Sequence, residues 1–162
     1  MKQHHFTAKR ISRTATITLQ GPVATVFPLF GPIEEKKWED GWDPLILYPE
    51  TGELEEGMVF TTRGHTDAEP TYTWIVSQYD PVKHAIQYIV STQNRCWTIA
   101  IQCRAYSDTQ SQTTVGYTYT GLTTLGNELN EHAMESMYAK DLKDWEEAIN
   151  HYLSTGKTLK RR

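Results

Sequence analysis

Between Thr123 and Gly156 an apolar stripe recurs at helical spacing for about thirty residues, and its partner must be found within the same chain. Leu125, Leu129, Ala133 and Met137 form one row, and Tyr138, Leu142, Trp145, Ile149 and Leu153 continue it. Thr123 or Thr124 suits the N-cap and Gly156 the C-terminal stop, which predicts one helix of roughly 45 Å at 1.5 Å per residue. An element this long needs a large apolar surface to cover its stripe, and the preceding segments supply one.

Those segments read as strands. Met58–Gly64, Thr71–Tyr79, Lys83–Thr92, Asn94–Tyr106 and Gln112–Thr120 are rich in Tyr, Trp, Thr, Val and Ile, and short turns join them. Short connections between neighbours predict an antiparallel meander. Alternation sorts the faces. Trp97, Ile99, Ile101 and Cys103 oppose Thr98, Gln102 and Arg104, while Ile86, Tyr88 and Val90 oppose Gln87 and Ser91. Val115, Tyr117 and Tyr119 likewise oppose Thr114, Thr118 and Thr120, so one face is apolar and aromatic, as in a sheet packed on one side. Upstream, Thr14–Leu19 alternates as another strand and breaks at Gly21-Pro22. Val23, Val26, Phe27 and Phe30 then stripe a short helix, a second short helix covers Ile33 to Trp38, and an irregular, aromatic-rich connection follows.

Composition adds limits. The 162 residues fit a single domain over 1–162, with a core over about 6–156 and a basic tail over 157–162. The net charge of −4 gives no reason to expect nucleic acid. Lys2, Lys9, Arg10 and Arg13 make one end basic and Lys157, Lys160, Arg161 and Arg162 the other. Between them Glu34 to Glu56 carries nine carboxylates, read as a solvated acidic connection. No apolar run reaches the ~20 residues of a membrane span and no signal-peptide core is present, so a cytoplasmic protein is expected. Cys96 and Cys103 stand on opposite faces of one strand, roughly 23 Å apart, and are expected to stay unpaired.

The order of one strand, two short helices, five strands and a long helix resembles that of the SRPBCC superfamily, which includes START lipid-transfer domains, polyketide cyclases and plant-allergen-type ligand carriers. The stretches that carry the resemblance are Val26-Phe-Pro-Leu-Phe-Gly-Pro32, Trp38-Glu-Asp-Gly-Trp42, Trp74 to Pro81, Tyr117-Thr-Tyr-Thr-Gly-Leu122 and His151-Tyr-Leu-Ser-Thr-Gly156. The chain is most similar to the small bacterial members. The resemblance implies an α+β helix-grip fold, a curved antiparallel sheet of about six strands around the long helix, enclosing an apolar cavity. It implies no particular chemistry, and no iron ligand set of the oxygenase members can be placed here.

Candidate residues follow from that frame. The chain has 9 Tyr and 5 Trp against 4 Phe. Tyr and Trp suit walls where apolar surface meets a polar group, whereas Phe suffices for plain core. Tyr88, Tyr117 and Tyr119 are therefore expected to line the cavity. Trp74, Trp97 and Tyr138 are alternatively core, and Trp38 and Trp42 either flank the cavity mouth or staple a loop. Glu128, His132 and Glu135 share one helical face but read as solvated surface pairs. His65, Asp67 and Glu69 read as a solvated turn before Pro70. Arg63 and Arg104 read as exposed arginines that, turned inward, would hold a carboxylate. No nucleophile elbow, phosphate loop or metal cluster is visible, so catalytic residues stay unassigned and no cofactor is expected. Three functions remain open: binding or carriage of a small hydrophobic or aromatic ligand, a cyclase or dehydratase acting in the same cavity, and a protein-interaction module with a filled core.

Overall fold

The computed structural model describes residues 5–161; Lys2 and Arg162, one from each basic end, lie outside them. Strand β1 (Arg10–Leu19) leads into helix α1 (Val23–Val26), two single turns of 3-10 helix (Phe27–Phe30 and Glu34–Lys37) and a short strand β2 (Leu45–Tyr48). Strands β3 (Val59–Thr66), β4 (Glu69–Asp80), β5 (Ala85–Ser91), β6 (Arg95–Ala105) and β7 (Ser111–Gly121) follow, then helices α2 (Thr124–Tyr138) and α3 (Lys143–Thr155). The described residues form one antiparallel seven-stranded sheet in the order β1-β7-β6-β5-β4-β3-β2. Register shifts in the β2–β3, β3–β4 and β4–β5 pairings mark the half that bends round the helices.

The alternation holds. Val115, Tyr117 and Tyr119 are buried on β7, Ile86, Tyr88 and Val90 on β5, and Trp97, Ile99, Ile101 and Cys103 on β6. Two details differ from the expectation. The strand count is seven rather than about six, because Leu45–Tyr48 pairs with β3. That strand is a short outer edge with exposed Leu45, Leu47 and Tyr48, so it carries no inward–outward alternation to reveal it.

The single long helix is also incorrect. It is two helices, parted at residues 139–142, where Asp141 and Leu142 take left-handed backbone (φ 50° and 62°). Leu142 turns inward and is buried, which anchors the break. The row Leu125, Leu129, Ala133, Met137 does not face the sheet. Gly126, Asn130, Met134 and Tyr138 do, while Leu129, Ala133 and Met137 are half-buried and Leu125 is exposed. A side chain at 126 is excluded, since its Cβ would fall 1.8 Å from the Asn94 carbonyl oxygen. Thr123 caps α2, its hydroxyl accepting from the Gly126 N–H at 3.0 Å, and Gly156 (φ 71°) ends α3.

Helix α3 lies along β1 and covers its free edge. Glu146 accepts from the Thr18 N–H at 2.9 Å, and Asn150 both accepts from the Gln20 N–H at 2.8 Å and donates to the Thr18 carbonyl at 3.2 Å. The basic tail is not simply solvated. Thr158 donates to the Lys37 carbonyl at 2.8 Å, the Arg161 N–H donates to Asp40 at 3.0 Å, and Lys160 sits 3.5 Å from Asp40. Among the described residues no helix is long and apolar enough to cross a membrane.

Candidate functional site

Because the row on α2 looks past the sheet rather than onto it, space remains between them. A cavity of about 1090 Å³ opens there, with the inner faces of β3–β7 as one wall, α2 and α3 as another, and the segment 35–43 across the end. Leu129, Ala133, Met137 and Trp145 form the helical wall. Seven of the eight aromatic residues expected at the site line it: Trp38, Trp42, Trp74, Tyr88, Trp97, Tyr117 and Tyr119. Tyr138 does not. It is sealed behind the wall, its hydroxyl within hydrogen-bonding distance of the Arg13 and Val115 carbonyls at 2.9 and 3.2 Å and its ring edge-on to Tyr117. A second, smaller cavity of about 460 Å³ lies under Phe27, Tyr79 and His84.

The aromatic wall is interlocked. Trp74 stacks on Phe60 at 5.3 Å and meets Trp42 and Tyr88 edge-on at 5.3 and 5.7 Å. Tyr117 stacks on Tyr119 at 5.7 Å, and Tyr119 tilts against Trp97 at 5.4 Å. Several polar ends are satisfied by protein. The indole N–H of Trp38 donates to the Leu29 carbonyl and that of Trp42 to the Pro32 carbonyl, each at 2.7 Å, so both tie down the loop and line the cavity. Trp74 donates to the Thr62 hydroxyl at 2.9 Å, and Tyr88 to the Phe30 carbonyl at 2.5 Å. The Tyr119 hydroxyl meets the Met137 sulfur at 3.5 Å. Tyr117 differs. It has no hydroxyl partner among the hydrogen bonds of the described residues, so its polar end is left for the cavity's contents. Burial, with Tyr119 and Glu35 adding, holds that hydroxyl firmly protonated.

Two charged features went unrecognised in the sequence. The first is a buried pair at the β4–β6 end. Arg95 donates from Nε and Nη2 to Glu69 at 3.0 and 2.7 Å, and its guanidinium stacks over Trp97 at 4.7 Å. Thr92 also donates to Glu69, and Arg95 Nη1 reaches Asn130 at 3.4 Å. Glu69 is therefore no part of a solvated turn. Pro70 reads locally as a break, whereas a salt bridge to a residue 26 positions away pulls Glu69 inside. Arg63 and Arg104 are exposed, with Arg63 on the cavity rim, as are Glu128, His132 and Glu135 on α2.

The second feature is Glu35. It stands on the 3-10 turn between Gly31 and Trp38, placed there by the buried Phe30 and Trp38 on either side, and its half-buried side chain lines the cavity. Burial, with the negative charge of Glu39 adding, pushes its carboxyl well above the usual range. The phenols of Tyr88 and Tyr117 are raised chiefly by burial, with the charge of Glu35 adding to both, which places all three groups in one neighbourhood. Glu39 is also raised, chiefly by burial and against the pull of Arg161, whereas Asp40 is lowered by the Arg161 N–H. Nothing in the pattern Glu34-Glu35-Lys36-Lys37 separates Glu35 from an ordinary surface carboxylate; the signal was its place between two buried aromatics. Such a carboxyl can donate a hydrogen bond or a proton while neutral, and can hold a cation once ionised.

No family model matches the sequence, and no curated protein does either. Solved structures do. The chain is similar to Ara h 8.0201 (TM-score 0.66, 14% identity, 91% of this chain and 99% of that one). It is similar to the Zhui aromatase/cyclase from Streptomyces sp. R1128 (TM-score 0.68, 13% identity, 94% and 100%). It is also similar to norcoclaurine synthase from Thalictrum flavum in complex with dopamine and hydroxybenzaldehyde (TM-score 0.67, 9% identity, 94% and 91%). All three are helix-grip proteins of the SRPBCC superfamily. With a seven-stranded antiparallel sheet against two C-terminal helices, and likeness to those structures over nearly its whole length, this chain has the helix-grip fold of the SRPBCC proteins.

Proposed function

We propose that the chain binds a small hydrophobic or aromatic molecule in the cavity of about 1090 Å³. The observation that supports this most directly is the lining: seven Trp and Tyr rings form much of the wall, with charged and hydroxyl side chains such as Glu35, Arg63, His65 and His132 among them. Ligand sites are concave, mostly apolar and carry a small number of polar anchors. Here the anchors are the Tyr117 hydroxyl and the Glu35 carboxyl. The cavity leaves the filled-core reading without support. Two free thiols, Cys96 and Cys103, favour a reducing, cytoplasmic setting for the binding.

One observation favours a second reading, acid–base catalysis in the same cavity. A carboxyl whose proton is held tightly by burial, beside a free phenol, is the arrangement a cyclase or dehydratase requires to protonate a ligand oxygen. Binding comes first in either case. Titration with N-phenyl-1-naphthylamine, a neutral apolar fluorophore, should give saturable enhancement with the native protein. Ala133→Trp, which places a ring in the cavity, should weaken it while the circular dichroism spectrum stays native. Failure of the wild-type protein to bind would remove both readings; undiminished binding to the variant would place the ligand elsewhere.

A further inference from the structure

The charges around the cavity are unequally paired. At one end Arg95 is neutralised by Glu69 in a two-point contact. At the other end acidic residues gather on one short stretch. Asp40 is held by the Arg161 N–H and by Lys160, and Glu39 has Arg161 Nε at 3.8 Å. Glu34 is taken by Lys37. Glu35 has no hydrogen bond and no ion pair among the described residues, although it lines the cavity. An unpaired carboxyl inside an apolar space is costly unless something else completes it.

The rings about Glu35 narrow the choice. Trp38 and Trp145 approach at 5.8 Å, Tyr117 and Trp145 at 6.4 Å, and Tyr88 lines the same space from β5. The face of each ring presents negative potential, and so does the carboxylate. Aromatic rings and an unpaired carboxylate lining the same space together favour a compact cation. A carboxylate or phosphate group would meet repulsion from Glu35 and Glu39 at the same place.

We propose that the ligand bears an ammonium group on an apolar or aromatic body, and that Glu35 is its counter-ion; the assignment rests on the cavity being a ligand site. Burial and the charge of Glu39, four residues on, oppose its ionisation in the empty cavity. The protonated phenols of Tyr88 from β5 and Tyr117 from β7 bring no charge, nor do Trp38 and Trp145. Arrival of a cation reverses that balance and favours the ionised carboxylate.

Phenyltrimethylammonium and tert-butylbenzene test this. The two have the same shape, differ in charge, and neither titrates. Affinities are read by calorimetry or ligand-observed NMR. At pH 8 the cation should bind the wild type roughly tenfold or more tightly than its neutral isostere. Glu35→Gln should erase the preference for the cation, so that the two probes bind alike. Equal or tighter binding of the neutral probe to wild type overturns the ammonium assignment while the cavity reading survives. So does a preference for the cation that persists in Glu35→Gln. Binding of neither probe removes the cavity reading and the assignment with it.

Discussion

Glu69 closes on the Arg95 guanidinium along its Nε–Nη2 edge, at 3.0 and 2.7 Å, with the two residues only 3% and 6% exposed. Removing one partner would strand the other charge indoors. Glu69→Gln should therefore lower the unfolding free energy by about 3–5 kcal/mol in denaturant titrations. Replacing both partners, as in Glu69→Leu with Arg95→Met, should cost much less than either single change. A Glu69→Gln variant within about 0.5 kcal/mol of wild type would show that the pair is not sealed from water.

The two cavity tyrosines should behave oppositely. Tyr88 donates to the Phe30 carbonyl, so Tyr88→Phe should cost stability, on the order of 0.5–1.5 kcal/mol. Tyr117 has no such partner, and Tyr117→Phe should unfold within about 0.5 kcal/mol of wild type. Its effect should fall on ligands with a polar group, weakened by about 0.5–1.5 kcal/mol, as titration would show. Loss of stability in Tyr117→Phe equal to that in Tyr88→Phe contradicts the assignment.

Glu35 gives the pH dependence a definite sign. Its folded carboxyl is raised by burial and by Glu39, so the folded state binds the proton more tightly than the unfolded chain. Its contribution is fully present below the unfolded carboxylate range near pH ~4.3 and is lost as pH rises through the raised folded value. Glu35→Gln should thus be more stable than wild type at pH 8 and gain nothing at pH 4. Melting temperatures of the two proteins at those two pH values decide it; a gain at pH 4 alone would contradict the sign.

Thiol labelling reads the register of β6. Cys103 is buried against Thr113 at 3.2 Å, and burial pushes its thiol up to about 12, while Cys96 on the other face is partly accessible. A thiol reagent should modify Cys96 well before Cys103 in the native protein. The reverse order, with Cys103 modified first, would place the strand one residue out of register.

The break between α2 and α3 is open to hydrogen exchange. Amides at 139–142 should exchange faster than those in the middle of either helix. Leu142→Ala should nevertheless cost about 2–5 kcal/mol, since its side chain is buried. Uniform protection from 125 to 154 would restore the single helix.

The sheet was legible because each of its long strands has one wet face, and alternation such as Trp97-Thr98-Ile99 records that directly. The break in the helix was not. Ala139-Lys140-Asp141-Leu142 contains no glycine or proline, and the only trace is the slip of phase between Met137 and Tyr138. The apolar row on α2 was visible, but a row that lines a cavity looks like a row that packs on a sheet. For the same reason the aromatic lining could be read from face and residue type. Glu35, Glu69 and Arg95 could not, because their roles depend on neighbours far away in the chain.

Strand β1 has the longest wait for its partner. Arg10 opposes Thr120, 110 positions later, and the other strands are laid down in between. Until β7 exists, Ile17 and Leu19, both fully covered at the end, have no sheet to enter. During translation the first strand must thus remain uncommitted while the meander from β3 to β7 grows by neighbour-to-neighbour addition. Pairing across so much chain is entropically late and comparatively slow. The strand made first is therefore expected to be among the last to settle, and α3 can cover its edge only after that.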